Sequence, residues 1–150
     1  MTNNIPEETL KEAAKHVNYE IRMFKYSYEK LKTSGGYDKN VFLEDFILHF
    51  RTLYDFFYKE KYQDNVLAED FIPKTSIGTF EKYRTLEKDI EEYKKKANKQ
   101  LAHITYSRAD TYNNIIKPKS WKTRDMYQKI EKTIQAFISS LSDDRKDWFS

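Results

Sequence analysis

The sequence predicts an all-α domain in which four long helices form an up-down bundle, accompanied by one short helix. Three observations predict this class. Only three glycines and three prolines occur in 150 residues, too few for an all-β domain, which needs a turn every ten residues or so. Apolar residues recur at spacings of three and four along four segments. Aromatic residues make up 16% of the chain, so each buried position contributes a large apolar area.

The first helix is predicted to begin at Pro6, because proline is favourable in a first helical turn. It ends before Gly35 and Gly36, since glycine is common just past a helix. Its apolar stripe has the spacing of a helix that packs nearly parallel to its neighbours. The stripe comprises Leu10, Ala14, Val17, Ile21, Phe24, Tyr28 and Leu31.

The second helix is predicted over about residues 40–61, and it is apolar on more than one face. A helix of this kind lies at the centre of a bundle. Residues 66–72 are predicted to form the short helix, ended by Pro73, and a linker then runs through Gly78.

The third long helix is predicted over residues 80–107, with the charged run 91–99 on its solvated face. The last helix carries its apolar stripe from Tyr127 to Leu141. We expect a single domain over residues 1–150, with a frayed tail at residues 143–150.

Composition excludes several classes of protein. The formal net charge is only +3 with both signs interleaved, unlike the strong basic field of a dedicated nucleic-acid binder. The absence of cysteine excludes disulfides, a thiolate nucleophile and cysteine-containing zinc sites. The first residues lack a basic and apolar targeting segment, and no apolar run approaches about 18 residues. We therefore expect a cytoplasmic protein with no membrane partner and no cofactor.

A charged strip interrupts the apolar second helix. Glu44, Arg51 and Asp55 share one side of that helix at about 100° per residue. In one reading, Arg51 and Asp55 form an ion pair four residues apart that satisfies both charges. In the other reading, Arg51 binds an anion or a phosphate, for which a planar guanidinium is suited.

The three histidines do not have the spacing of a helical metal site, so no metal is predicted. No pair among them is separated by three or four residues, although a bundle can bring distant histidines together. A metal- or ligand-binding bundle is the least favoured function. His16 is expected at the surface. His49 is expected in the core as a neutral imidazole that is satisfied by one hydrogen bond.

Residues 98–108 are the most informative segment. His103 points away from the apolar stripe of its own helix, toward the side that carries Lys96, and a histidine there can titrate near neutral pH. Arg108 falls on the apolar stripe, which predicts a carboxylate partner such as Glu44 or Asp55.

The chain resembles the HEPN superfamily of prokaryotic helical bundles, which occur in toxin–antitoxin and antiviral defence systems. The resemblance covers residues 40–141. It is carried by Glu44-x-Phe46-x-Leu48-x-x-Arg51-x-Leu53-x-Asp55-Phe56-Phe57, by Asp64-x-Val66-x-Ala68-x-Asp70-Phe71, and by Asn98-Lys99-x-Leu101-Ala102-His103-x-Thr105-Tyr106-x-Arg108.

This resemblance implies a metal-independent ribonuclease whose site is completed across a dimer. Its motif has an arginine, a polar residue and then a histidine four to six residues past the arginine. His103 matches the histidine, which can act as general base on a ribose 2′-hydroxyl while a cation stabilises the phosphorane. Asn98 stands in place of the arginine, and Lys99 occupies the polar position.

Asparagine cannot supply the cation that this chemistry needs. Either another basic residue replaces it, or the bundle has lost catalysis. The candidate cations are Lys96, Lys99, Arg51 and Arg108.

Two functions follow from the resemblance. The first is a dimeric HEPN-like endoribonuclease or toxin-type effector that acts through His103, with Lys96, Lys99 and Tyr106 contacting the RNA. The second is a non-catalytic bundle that binds an antitoxin or another protein partner as a regulatory subunit.

Overall fold

The computed structural model describes residues 4–84, 88–102 and 121–150, and these residues form helices and connecting segments without any strand. The all-α bundle is therefore confirmed. The helices are α1 (Glu7–Thr33), α2 (Gly36–Tyr58), α3 (Lys74–Tyr83), α4 (Lys88–Ala97), α5 (Thr123–Ser140) and α6 (Asp143–Lys146). Shorter turns are a 3₁₀ turn at Ala68–Asp70, a π-helical turn at Asn98–Ala102 and a 3₁₀ turn at Asp147–Phe149.

The first two helices form an antiparallel pair joined by a tight connection. Gly36 has φ of +60°, a conformation that L side chains rarely adopt, so a glycine is required where the chain reverses. Tyr26 of α1 meets Phe42 near the start of α2. Further along, Glu20 of α1 meets His49.

The core is built from aromatic rings contributed by most of the helices. Phe24 of α1 stacks on Phe46 of α2 with ring centroids 4.9 Å apart. Phe137 of α5 lies edge-on to several rings at 5.1–6.2 Å. Those rings are Phe56, Phe57, Phe71, Phe80 and Phe149. Aromatic side chains therefore make up much of the hydrophobic core.

The middle of the chain differs from the prediction in three places. The third long helix, predicted over residues 80–107, is interrupted at Arg84: its first residues belong to α3, and α4 covers only Lys88–Ala97 before the π-helical turn. The segment expected to be a short helix forms only the 3₁₀ turn, whose Asp70 carboxylate accepts the Leu67 N–H at 2.9 Å. The expected linker through Gly78 is instead helical, as part of α3. Its first turn is closed by the Pro73 carbonyl, which accepts the N–H of Ile77 at 3.1 Å, and a single glycine inside a short helix costs only about 1 kcal/mol.

The prediction of a frayed tail at residues 143–150 is wrong. Phe149 is only 9% exposed, with its ring 5.1 Å from that of Phe137. The Arg145 guanidinium donates to the Glu7 carboxylate at 2.8 Å, which ties the tail to the start of α1. The buried Phe149 ring and the Arg145–Glu7 ion pair hold the C-terminal residues in place, because each contacts a segment that is distant in sequence.

Among the residues that the structure describes, no helix combines the length and apolar character needed to cross a membrane.

Candidate functional site

The interface between α2 and α4 brings two predicted site residues to the same level of the bundle. The two helices run antiparallel, because Tyr58 near the end of α2 shares a cavity with Ile90 near the start of α4. One turn further on, Lys94 forms an ion pair with Asp55. Another turn along both helices leads to Asn98 and Arg51.

Arg51 has a buried polar atom without a partner. Its Nε is shielded from solvent and makes no hydrogen bond to any residue of the described chain. Because Asp55 is engaged by Lys94, the expected Arg51–Asp55 pair is not what satisfies this group, and that reading of the charged strip is wrong. Leaving a buried donor unpaired costs about 1–3 kcal/mol, so this N–H group by itself opposes folding.

Two amide oxygens of the neighbouring turn are also buried and unpaired. They are the Asn98 Oδ1 and the Gln100 Oε1. Both residues belong to the π-helical turn at residues 98–102. Such turns are rare in proteins and often occur at functional sites. In the described chain, the end of α4 therefore concentrates unsatisfied polar atoms with an irregular backbone.

The unpaired groups at this level of the bundle are of complementary types, one donor and two acceptors. The Arg51 guanidinium can donate to an anion such as a phosphate. An amide oxygen such as that of Asn98 can accept a proton from a hydroxyl group. A nucleotide carries both kinds of group, a phosphate and ribose hydroxyls.

The other predicted ligands of RNA occupy different positions. The Lys96 ammonium lies over the Trp121 ring, 4.4 Å from its centroid, in a cation–π contact. Lys99 is exposed on the π-helical turn. Glu44 is exposed on α2.

His103, Tyr106 and Arg108 lie outside the described residues. The prediction that these three residues belong to the site, and the proposed partners of Arg108, stay predictions.

The structure also brings together a histidine cluster that the sequence did not reveal. His49 is 5% exposed; its Nδ1 bonds the Glu20 carboxylate of α1 and its Nε2 bonds Asp45 at 3.2 Å. The hydrogen bond to Glu20 raises the pKa of the His49 imidazole above its ordinary value of 6.5, although burial opposes this rise. The expectation of a neutral imidazole with one hydrogen bond is therefore wrong.

The cluster holds α1 to α2 and is not suited to acid–base catalysis. Both ring nitrogens of His49 are occupied by carboxylates, so neither is available to a substrate. Asp45 and His49 are four residues apart on one helix, a spacing that indicates a contact between their side chains. Glu20 gave no signal, because its pairing depends on how α1 packs.

A groove of about 450 Å³ lies between α1, α2 and residues 65–67. Its floor includes Val17, Leu53 and Phe56, and His16 lies exposed at its edge. Within the residues described, no group of three histidine, aspartate or glutamate side chains could hold a metal ion. The groove is mainly apolar and has no unpaired buried donor of the kind found at Arg51.

Comparison of the chain with protein-family models, with curated proteins and with solved structures finds no match.

Proposed function

We propose that this chain is a HEPN-like bundle that binds RNA and cleaves it without a divalent metal ion. Arg51 supplies the cation that the superfamily motif takes from an arginine at the position of Asn98. The observation that supports this proposal is the buried and unpaired Nε of Arg51 at the level of Asn98. A guanidinium held in this way is preorganised for a phosphate.

The proposed reaction is an attack by the ribose 2′-hydroxyl on the adjacent phosphorus. His103 removes the hydroxyl proton as general base, and the 2′-oxygen forms a bond to phosphorus. The bond from phosphorus to the 5′-oxygen of the next nucleotide breaks, and that oxygen takes a proton from water as it leaves. Arg51 stabilises the negative charge of the phosphorane. The products carry a 2′,3′-cyclic phosphate and a 5′-hydroxyl.

Asn98 has a different role from the arginine that it replaces in the motif. Its buried Oδ1 is an acceptor and cannot neutralise a phosphate. We assign it to a ribose hydroxyl of the RNA, which positions the sugar relative to Arg51. In this chain, Asn98 positions the sugar and Arg51 supplies the positive charge, whereas the motif places these two groups close together in the sequence.

An exposed apolar stripe on α2 supports the proposal that two copies of the chain form a dimer. Tyr37, Val41 and Leu48 are 89%, 60% and 52% exposed, and their spacings of four and seven place them on one face of the helix. In the alternative function, this same stripe binds an antitoxin or another protein, and the bundle is a non-catalytic regulatory subunit.

The central experiment measures cleavage of a labelled RNA in EDTA by the purified parent chain and its variants. We expect cleavage by the parent, with a cyclic phosphate end on the product. His103→Ala should lower the rate by roughly a hundredfold or more, and Arg51→Met should lower it by about 10²-fold or more. His16→Ala is the matched control, since that histidine is exposed on α1.

Two results would overturn parts of the proposal. Intact RNA after incubation with the parent at every pH would favour the regulatory subunit over the ribonuclease. Unchanged cleavage by His103→Ala would remove this histidine from the mechanism. The dimer is tested separately by the solution mass of the parent and of Leu48→Glu, with the exposed Tyr62→Ala as control; a parent of monomeric mass would refute it.

A further inference from the structure

The groove between α1, α2 and residues 65–67 has the form of a site for a small ligand. Its volume of about 450 Å³ lies within the range of roughly 300–1,000 Å³ that is typical of ligand pockets. The apolar floor comes from all three segments and is formed by Val17, Leu53, Phe56 and Leu67. These side chains are only 1–7% exposed, so the floor is held in place by the bundle before any ligand binds.

The carboxylates that line this groove are already paired. Glu20 of α1 is hydrogen-bonded to His49 of α2, and Asp55 of α2 forms an ion pair with Lys94 of α4. Each of these contacts also joins two helices. The groove therefore has no carboxylate, among the residues described, that could receive a cationic ligand without breaking a contact of the bundle.

The lysine that lines the groove is in the opposite situation. Lys59 directly follows α2 and is exposed, and within the described chain its ammonium makes no ion pair and no hydrogen bond. A turn closed by the Asn65 N–H and the Tyr62 carbonyl at 3.2 Å brings the chain back, so that the Asn65 side chain also lines the groove. The groove thus offers an unpaired positive charge and an amide that can donate a hydrogen bond.

The groove is long enough for an extended alkyl chain. It follows α2 from Thr52 to Lys59, a separation of seven residues that corresponds to about 10 Å along the helix axis. With C–C bonds of about 1.5 Å, a zigzag chain of about eight to ten carbons has this length.

We propose that this groove binds a single-chain aliphatic carboxylate of about eight to ten carbons. The carboxylate is held by the Lys59 ammonium and the Asn65 amide, and the chain lies on Val17, Leu53 and Phe56. The lysine favours an anionic head group over a neutral one, and the burial of the chain supplies most of the affinity. The inference does not rest on the proposed function, because it uses none of the residues assigned to RNA.

A series of chain lengths tests the apolar floor. The purified protein is titrated calorimetrically with hexanoate, octanoate, decanoate and dodecanoate, each below its micelle concentration. Full burial of a methylene tightens binding by about fourfold. In a groove that is open on one side, we expect about half of that free energy, or about twofold per methylene up to decanoate. Dodecanoate should gain little more, because its last carbons would extend past Thr52.

Filling the groove should remove the site. Ala13 is partly buried and lines the groove from α1, so Ala13→Leu should weaken decanoate binding about tenfold or more by displacing several methylenes from the floor. Thr52→Trp narrows the same groove from α2 and provides a second variant. Ala136→Leu is the matched control, since Ala136 is also partly buried but lies on α5 outside this groove. The Tm of each variant shows that it is folded.

The head group is tested by removing the charge of Lys59. Lys59→Gln should weaken octanoate binding by about threefold to fivefold, the effect of an exposed ion pair, and should leave the binding of octanol unchanged. Lys39→Gln makes the same change at an exposed position of α2 outside the groove. This control should bind octanoate as the parent does.

Several results would overturn the inference. They are the absence of saturable binding of decanoate, equal affinity of the parent and both groove-filling variants, and equal losses in Lys59→Gln and Lys39→Gln. Octanol binding to the parent as tightly as octanoate would remove the anionic head group. None of these measurements involves RNA, so a chain that cleaves RNA without binding decanoate would keep the proposed function and refute this inference alone.

Discussion

Replacement of Arg51 by methionine should make the protein more stable and less able to bind a phosphate. Methionine keeps an unbranched apolar stem of similar reach and lacks the guanidinium. The unpaired Nε of Arg51 costs about 1–3 kcal/mol in the folded state, and this cost disappears in the variant. A gain in stability together with a loss of binding is the trade-off expected when a functional group is costly to the fold.

The magnitude can be measured by denaturant and thermal unfolding. We expect the free energy of unfolding to rise by about 1–2 kcal/mol, since part of the released cost is offset by lost contacts of the guanidinium. In a domain of this size, each kcal/mol corresponds to a shift in Tm of about 2–4 °C. The measurement should be made in a buffer without phosphate or sulfate, because an anion bound at Arg51 would stabilise the parent.

The effect of inorganic phosphate on Tm then shows whether Arg51 belongs to an anion-binding site or is only a packing defect. The Tm of the parent should rise as phosphate is added, whereas the Tm of Arg51→Met should not follow. Lys94→Met is the matched control on the same interface. It removes the partner of Asp55, which is partly exposed, so it should lower the stability by less than about 1 kcal/mol and leave the effect of phosphate intact.

A loss of more than about 1 kcal/mol in Arg51→Met would refute the reasoning. It would show that the guanidinium stabilises the bundle and that its unpaired Nε is outweighed by other contacts. An identical effect of phosphate on the parent and on the variant would equally remove Arg51 as the anion ligand.

Three further substitutions test the contacts that hold the bundle together. His49→Gln should lower the free energy of unfolding by about 1.5–3 kcal/mol near neutral pH. The pKa of His49 in the folded protein is raised above 6.5, so the parent should lose this stabilisation as the pH rises through that pKa. The stability of the variant should not show this change with pH. Tyr93→Phe should cost about 1.5 kcal/mol or more through the lost bond to Asp125, and ultraviolet titration should find one tyrosine of the parent with a pKa of about 12, raised by burial first and by Asp125 second. Phe149→Ala should cost about 3 kcal/mol, measured by urea unfolding, whereas a frayed tail would give no change.

The helices α1, α2 and α5 could be predicted because their apolar spacing is a local property, whereas the predicted third long helix is divided between α3 and α4. Pro6 marks the start of α1, and Gly36 adopts the positive φ that ends the first connection. The errors fall where distant contacts decide the structure. Gly78 looked like part of a linker, but the Pro73 carbonyl starts a helix before it. Phe149 looked like part of a loose tail, but its partner Phe137 is remote in sequence.

The sequence indicates Arg51 and Asn98 as candidates, but it did not predict how the charges around Arg51 are paired. The sequence indicated Arg51 as either an ion-pair partner or an anion ligand, and helical spacing alone favoured neither. The outcome depended on Lys94, which reaches Asp55 from another helix. For the same reason the His49 cluster could not be foreseen in full, because Glu20 approaches from α1.

The unpaired groups of Arg51 and Asn98 are more informative about function than the satisfied ones. A partly buried arginine that served only the fold would be expected to have a carboxylate or a carbonyl as partner of its buried N–H group, and Asp55 lies four residues away on the same helix. Lys94 takes that carboxylate instead. The chain thus keeps a costly donor at the level of a π-helical turn, where a ligand can satisfy it, and such departures from local rules are expected at functional sites. Under the proposed function, the free energy that the unpaired Nε costs the fold is recovered when a phosphate binds at Arg51.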